Sequence, residues 1–160
     1  DTQKFYYSVF HEVTHHIYCH SQNPAPRWLA EGLAEYFETY YVDQNNVSFH
    51  MQDGNNNTIN RIRYLNECIN KGLIPRIERL FKYEETIWNK IPMYMYSFSW
   101  SVITFLMEKE IGREIIKRKF KEQKAMSNII SQIYPGGIKG CQKDYEKWLE
   151  ESIVTHLTIK

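Results

Sequence analysis

His11-Glu12-Val13-Thr14-His15 constrains this chain more than any other stretch. Residues four apart on a helix stand one above the other, so a helix here aims His11 and His15 at one point and sets Glu12 to the side. Two imidazoles aligned in this way are a pair of metal ligands, and the glutamate beside them can reach a water held by the same ion. With 6 His in 160 residues, the pattern H-E-x-x-H is expected by chance about 0.02 times per chain. The competing reading is an ordinary amphipathic helix. Tyr6, Phe10, Val13 and Ile17 would form its apolar stripe, and histidines on the opposite face would need no special cause.

The stretch Trp28-Leu29-Ala30-Glu31-Gly32-Leu33-Ala34-Glu35 has a helical logic of its own. Leu29, Leu33, Tyr36, Phe37 and Tyr40 share one face, and Glu31, Glu35 and Glu38 lie on the other. A solvated acidic face would explain the three carboxylates at the cost of mild repulsion. A cation would remove that conflict. A hydrolytic zinc site takes three protein ligands and leaves one position for water, and Glu31 is the candidate third ligand.

H-E-x-x-H followed by W-L-x-E-G-x-A-E resembles the gluzincin metallopeptidases, the group that includes thermolysin and the aminopeptidase N-like enzymes, and most of all their peptidase MA-like branch. The resemblance implies that His11, His15 and Glu31 hold Zn2+ and that Glu12 is the general base. It implies further that Glu35 accepts a hydrogen bond from His11, fixing its tautomer without touching the metal. Fifteen residues separate His15 from Glu31, fewer than in the aminopeptidase branch, so the rim of the cleft is expected to differ. Ser21-Gln22-Asn23-Pro24-Ala25-Pro26 supplies turn chemistry for that connection.

In the aminopeptidase N-like branch a catalytic tyrosine lies near the start of a helix that runs through an aromatic-leucine pair to a glycine. Tyr96, followed by Phe105-Leu106 and Gly112, resembles that arrangement and would donate to the oxyanion of the tetrahedral intermediate. Tyr94 is close enough to take the same role. A tyrosine with its ring in the core and its hydroxyl at the surface is the plainer reading of either.

At 160 residues the chain is one domain's worth, long enough to bury a core without a disulfide framework. Its 20 basic and 19 acidic residues leave a net charge of +1, which gives no electrostatic case for nucleic acid or an anionic membrane. Arg113 to Lys124 is locally basic, and it reads as a solvated helix face with Ile115, Ile116 and Phe120 turned inward. Cys19, Cys68 and Cys141 cannot all pair. Cys19 lies one turn beyond His15 and could approach a metal, although a small buried apolar role is the commoner one. His16 and His20 also stand four apart, but Ile17 follows His16, so that pair lacks an adjacent base. No apolar run is long enough for a membrane span.

Along the chain, periodicity predicts helices over 3–20, from Pro26 or Arg27 to Tyr41, and over 59–71 with Gly72 as its cap. A short helix follows Pro75, and a polar stretch runs on to Pro92. A strongly apolar helix covers 93–110 and ends at Gly112. A last helix presents Tyr145, Trp148, Leu149 and Ile153 on one face. Asp43 to Asn60 reads as a polar loop with a short strand near Val47 to Met51.

The expected fold is therefore mainly α, with little or no sheet, a single domain over residues 1–160. By the resemblance it is the C-terminal, zincin-like part of a larger catalytic unit whose preceding sheet lies upstream, and an extracytoplasmic location is implied on the same ground. The expected function is zinc-dependent hydrolysis of peptide bonds in a peptide or protein substrate, through a metal-bound water activated by Glu12. The alternative is a catalytically silent zinc-binding or interaction module that keeps the fold. Nothing in the sequence bears on oligomeric state.

Overall fold

The computed structural model describes residues 2–19, 25–43, 46–49, 56–82 and 85–154 and is mainly helical. In chain order the described elements are α1 Thr2–Cys19, α2 Arg27–Glu38, β1 Tyr40–Asp43, β2 Asn46–Phe49, α3 Asn56–Asn70, α4 Ile77–Leu80, α5 Glu85–Lys90, α6 Pro92–Met107, α7 Glu110–Lys121, α8 Met126–Ile133 and α9 Gly137–Leu149. A π-helical turn, Glu150–Val154, continues α9. The proposed turn at Ser21 to Pro24, the loop tip at Asp53-Gly54-Asn55, His20 and the Cys19 side chain lie outside the described residues.

Sequence explains why α6 is the axis. Met95 and every residue from Ser97 to Leu106 are buried, and a helix buried around nearly its whole circumference must have neighbours on all sides. Those neighbours are α2, α3, α4, α5, α7 and α9. Phe98, Trp100, Ile103 and Leu106 meet Leu29 and Leu33 of α2, Leu65 of α3, Ile115 of α7 and Tyr145 and Leu149 of α9 in one continuous cluster. The aromatic packing is specific: Phe105 meets Tyr145 edge-on at 5.6 Å between ring centroids. The Ser101 hydroxyl shares a 2.7 Å hydrogen bond with the Tyr145 phenol, so this buried polar pair is satisfied internally. Tyr145, Trp148, Leu149 and Ile153 are all buried, as their spacing predicts.

Small residues set the distance between α2 and α6. A Cβ on Gly32 would lie 2.7 Å from the Ser99 carbonyl oxygen and 2.7 Å from Ile103 Cγ1. Backbone cannot swing aside as a side chain can. Gly32→Ala is therefore expected to cost about 1–3 kcal/mol through forced separation of the helices, read as a melting temperature several degrees lower. An unchanged melting temperature would contradict this close approach.

Several boundaries differ from those the sequence suggests, each for a physical reason. The second helix stops at Glu38, because Tyr40 to Asp43 pairs antiparallel with Asn46 to Phe49 in the register Tyr40↔Phe49 and Asp43↔Asn46. The aromatic and β-branched run Tyr40-Tyr41-Val42 suits a strand better than a helix end. The third helix begins at Asn56, ahead of Ile59, and its Gly72 cap has φ +68° as expected of a left-handed terminator. Glu85–Lys90, read as part of a polar stretch, is helical. Gly112 does not end α6. It lies in the first turn of α7, where a Cβ would collide with the Leu106 carbonyl.

The reading of α1 with buried Val13 and Ile17 is overturned, since these are 48% and 60% exposed. The more buried side of α1 carries Tyr7, His11, Thr14, His15 and Tyr18 instead, with the Tyr18 ring stacked on Phe120 of α7 at 4.4 Å. On α7, Ile115 and Ile116 are buried, while Arg118 and Lys117 pair with Glu114 at 3.0 and 3.8 Å. Cys68 and Cys141 are buried free thiols, and burial pushes the Cys141 thiol up to about 12. No helix among the described residues is long and apolar enough to cross a membrane.

Candidate metal centre

Helices α1 and α2 lie side by side, and their facing surfaces are not what an ordinary helix contact would carry. Glu35 and Glu38 are only 3% and 8% exposed, which removes the reading of the α2 carboxylates as a solvated face. Buried carboxylates require hydrogen bonds or positive charge close by. What they meet is the histidine face of α1 and an arginine from α3.

His11, His15 and Glu31 come together. The Nε2 atoms of His11 and His15 are 3.1 Å apart. A Glu31 carboxylate oxygen lies 3.4 Å from His15 Nε2 and 4.0 Å from His11 Nε2. The fit to zinc can be judged from these numbers. Ligands about 2.0–2.1 Å from a tetrahedral ion stand about 3.3 Å from one another, and the observed triangle brackets that value. The three side chains are partly buried, and no other His, Cys, Asp or Glu among the described residues joins this group.

Surrounding residues hold His11 and Glu31 in place. His11 Nδ1 meets a Glu38 carboxylate oxygen at 3.1 Å. A carboxylate accepts at this distance, so Nδ1 carries the proton and Nε2 keeps its lone pair, the arrangement that a metal-bound imidazole would need. The partner is Glu38 and not Glu35, which corrects the expectation from the sequence. Glu35 instead contacts the guanidinium of Arg61. The Glu38 hydrogen bond is also the main reason that the His11 pKa is raised, against the opposing effect of its burial. Glu31 turns its second oxygen toward Arg27 Nε at 3.7 Å, and the Arg27 guanidinium lies 4.7 Å from the Trp88 ring centroid on α5. Thr14, between the two histidines, returns its hydroxyl to the Phe10 carbonyl at 2.6 Å. Burial raises the Glu35 carboxyl to about 7, with Arg61 pulling in the other direction.

Glu12 is exposed on α1, one residue from His11. Tyr96 is half-buried, its ring edge-on to Trp88 at 5.3 Å, and it lines a cleft of about 290 Å³ with Glu35, Asn60, Arg61, Pro92 and Met93. The histidines are not among the lining residues, but Glu35 joins the two regions, having an oxygen within 4.8 Å of His11 and Glu38. Tyr94 behaves differently. Its ring packs on Phe98 at 4.5 Å, and its phenol is close enough to raise the pKa of the buried Tyr145. Residues two apart on a helix point about 160° apart, so Tyr94 addresses the α9 side of α6 while Tyr96 addresses the cleft.

Sequence reasoning passed over Arg27, Glu38 and Arg61 as parts of this site. Arg27 and Glu31 are four apart, and Glu38 is one of the three α2 carboxylates, so local signals existed for both. None existed for Arg61, which arrives from α3. No curated protein and no solved structure matches the chain. A family profile described as "Protein of unknown function (DUF1570)" matches residues 7–127, a span that holds every residue of the centre. The chain belongs to the DUF1570 family.

Proposed function

We propose that the chain carries the zinc centre of a gluzincin-type metallopeptidase, with His11, His15 and Glu31 as ligands. The observation that carries this reading is the triangle of donor atoms at 3.1, 3.4 and 4.0 Å, built across two helices with an acidic residue beside the first ligand. Zinc held there would supply the Lewis acidity that lets water attack a peptide carbonyl near neutral pH. Glu12 accepts the proton of the attacking water and passes it to the leaving amine. Tyr96, in the cleft beside Glu35, donates its phenolic proton as a hydrogen bond to the carbonyl oxygen as that oxygen gains charge. Glu38 holds His11 in the tautomer that presents Nε2.

The direct test is elemental analysis of the purified chain, followed by peptide cleavage before and after chelation. One zinc per chain, with cleavage lost to chelator and restored by zinc, is the expected result. Zinc without any cleavage across a broad peptide library would favour the silent binding module.

Glu38→Gln gives a narrower check. The amide keeps the shape but weakens the charge-assisted bond to His11, so zinc affinity is expected to fall about 10–100-fold. Unchanged affinity would remove Glu38 from the centre.

A further inference from the structure

Three carboxylates leave α2 toward a single imidazole. Glu31 lies on the Nε2 side of His11 and Glu38 on its Nδ1 side. Glu35 also has an oxygen within 4.8 Å of both His11 and Glu38. His11, Glu35 and Glu38 are thus a second set of three donors, sharing one histidine with the first. Two buried carboxylates beside each other demand a positive partner. Arg61 is that partner: it is 7% exposed, it is carried on a separate helix, and it contacts Glu35. Its Nε has no hydrogen-bond partner among the described residues, so it sits there without its full set of donors satisfied.

We propose that Arg61 is a built-in cation that occupies the second donor set and so holds the centre to one metal ion. It is a positioning residue, and the inference rests on the zinc reading of His11, His15 and Glu31. A guanidinium is always charged and tethered to its helix, so it neutralises Glu35 while offering no coordination position. Glu35 is thereby kept out of metal ligation, and His11 retains its Nδ1 proton for Glu38. Entry of a second divalent ion there would require the guanidinium to leave Glu35 and the hydrogen bond between His11 Nδ1 and Glu38 to be given up.

The experiment is a zinc titration of the metal-free full chain and its variants, with Co2+ substitution as a spectroscopic check on coordination. The wild type is expected to bind one ion. Arg61→Met should bind two, the second more weakly, with a changed visible Co2+ spectrum, and Arg61→Met combined with Glu35→Gln should return to one. Glu35→Gln alone leaves Arg61 without its counter-charge beside the metal, so it should weaken the first zinc about 10-fold or more, and the double variant should recover that loss. This arm decides the matter if Arg61→Met does not fold. One ion of wild-type affinity and spectrum in a folded Arg61→Met, or unchanged zinc affinity in Glu35→Gln, overturns the role of Arg61 while leaving the zinc reading intact. A wild type that binds no zinc overturns both.

Discussion

Glu12→Gln is expected to keep the fold and the zinc and to lose turnover by about 10²–10⁴-fold, the usual loss when a general base is removed. Glu12 is exposed and lies outside the group formed by His11, His15 and Glu31. The amide therefore disturbs neither the core nor the donor triangle. It removes only the basicity needed to take a proton from water. Melting temperature and zinc content should match the wild type, and cleavage rate alone should change. Retained zinc with undiminished cleavage would sink the proposed mechanism.

Glu31→Ala is expected to abolish stoichiometric zinc binding. The carboxylate is the only member of the triangle on α2, and without it two histidines on one helix remain. The loss should exceed the ~100-fold that marks the upper end for removing a residue that merely orients a ligand, which separates Glu31 from Glu38 in one titration. Binding by the wild type should also weaken as the pH falls, because an imidazole must be unprotonated to hold the ion and the raised pKa of His11 lets protons compete there from above the ordinary imidazole range. Full zinc occupancy in Glu31→Ala would assign the third ligand elsewhere.

The two helices that hold the centre were legible because their signals are local. The four-residue spacing of His11 and His15 and the apolar spacing of Leu29 and Leu33 need only helix geometry. The choice between Glu35 and Glu38 as the partner of His11 was not legible. Both lie on the same side of α2, and the choice follows from Arg61, which is 26 residues beyond Glu35 and claims it. The end of α2 was hidden for a related reason. Tyr40 continues the apolar helical spacing, yet its pairing with Phe49 across the hairpin prevails. Gly112 follows an apolar helix as a cap would, but its lack of a side chain serves a close approach to the Leu106 carbonyl, a contact that helical spacing does not announce. The amphipathic reading of α1 fails because polarity does not by itself mean solvent: His11 and His15 face α2 carboxylates.

Gly32 follows Glu31 directly, so the backbone of the proposed third ligand is held close against the α6 main chain at the next residue. So close an approach opposes both rolling of α2 about its axis and sliding along its neighbour. The ordering of the carboxylate is then a loss of conformational entropy that occurs during folding and need not be repeated when an ion arrives. Metal capture on such a template should proceed with little rearrangement of the main chain, and ions that prefer a different spread of donors meet a frame that does not yield to them.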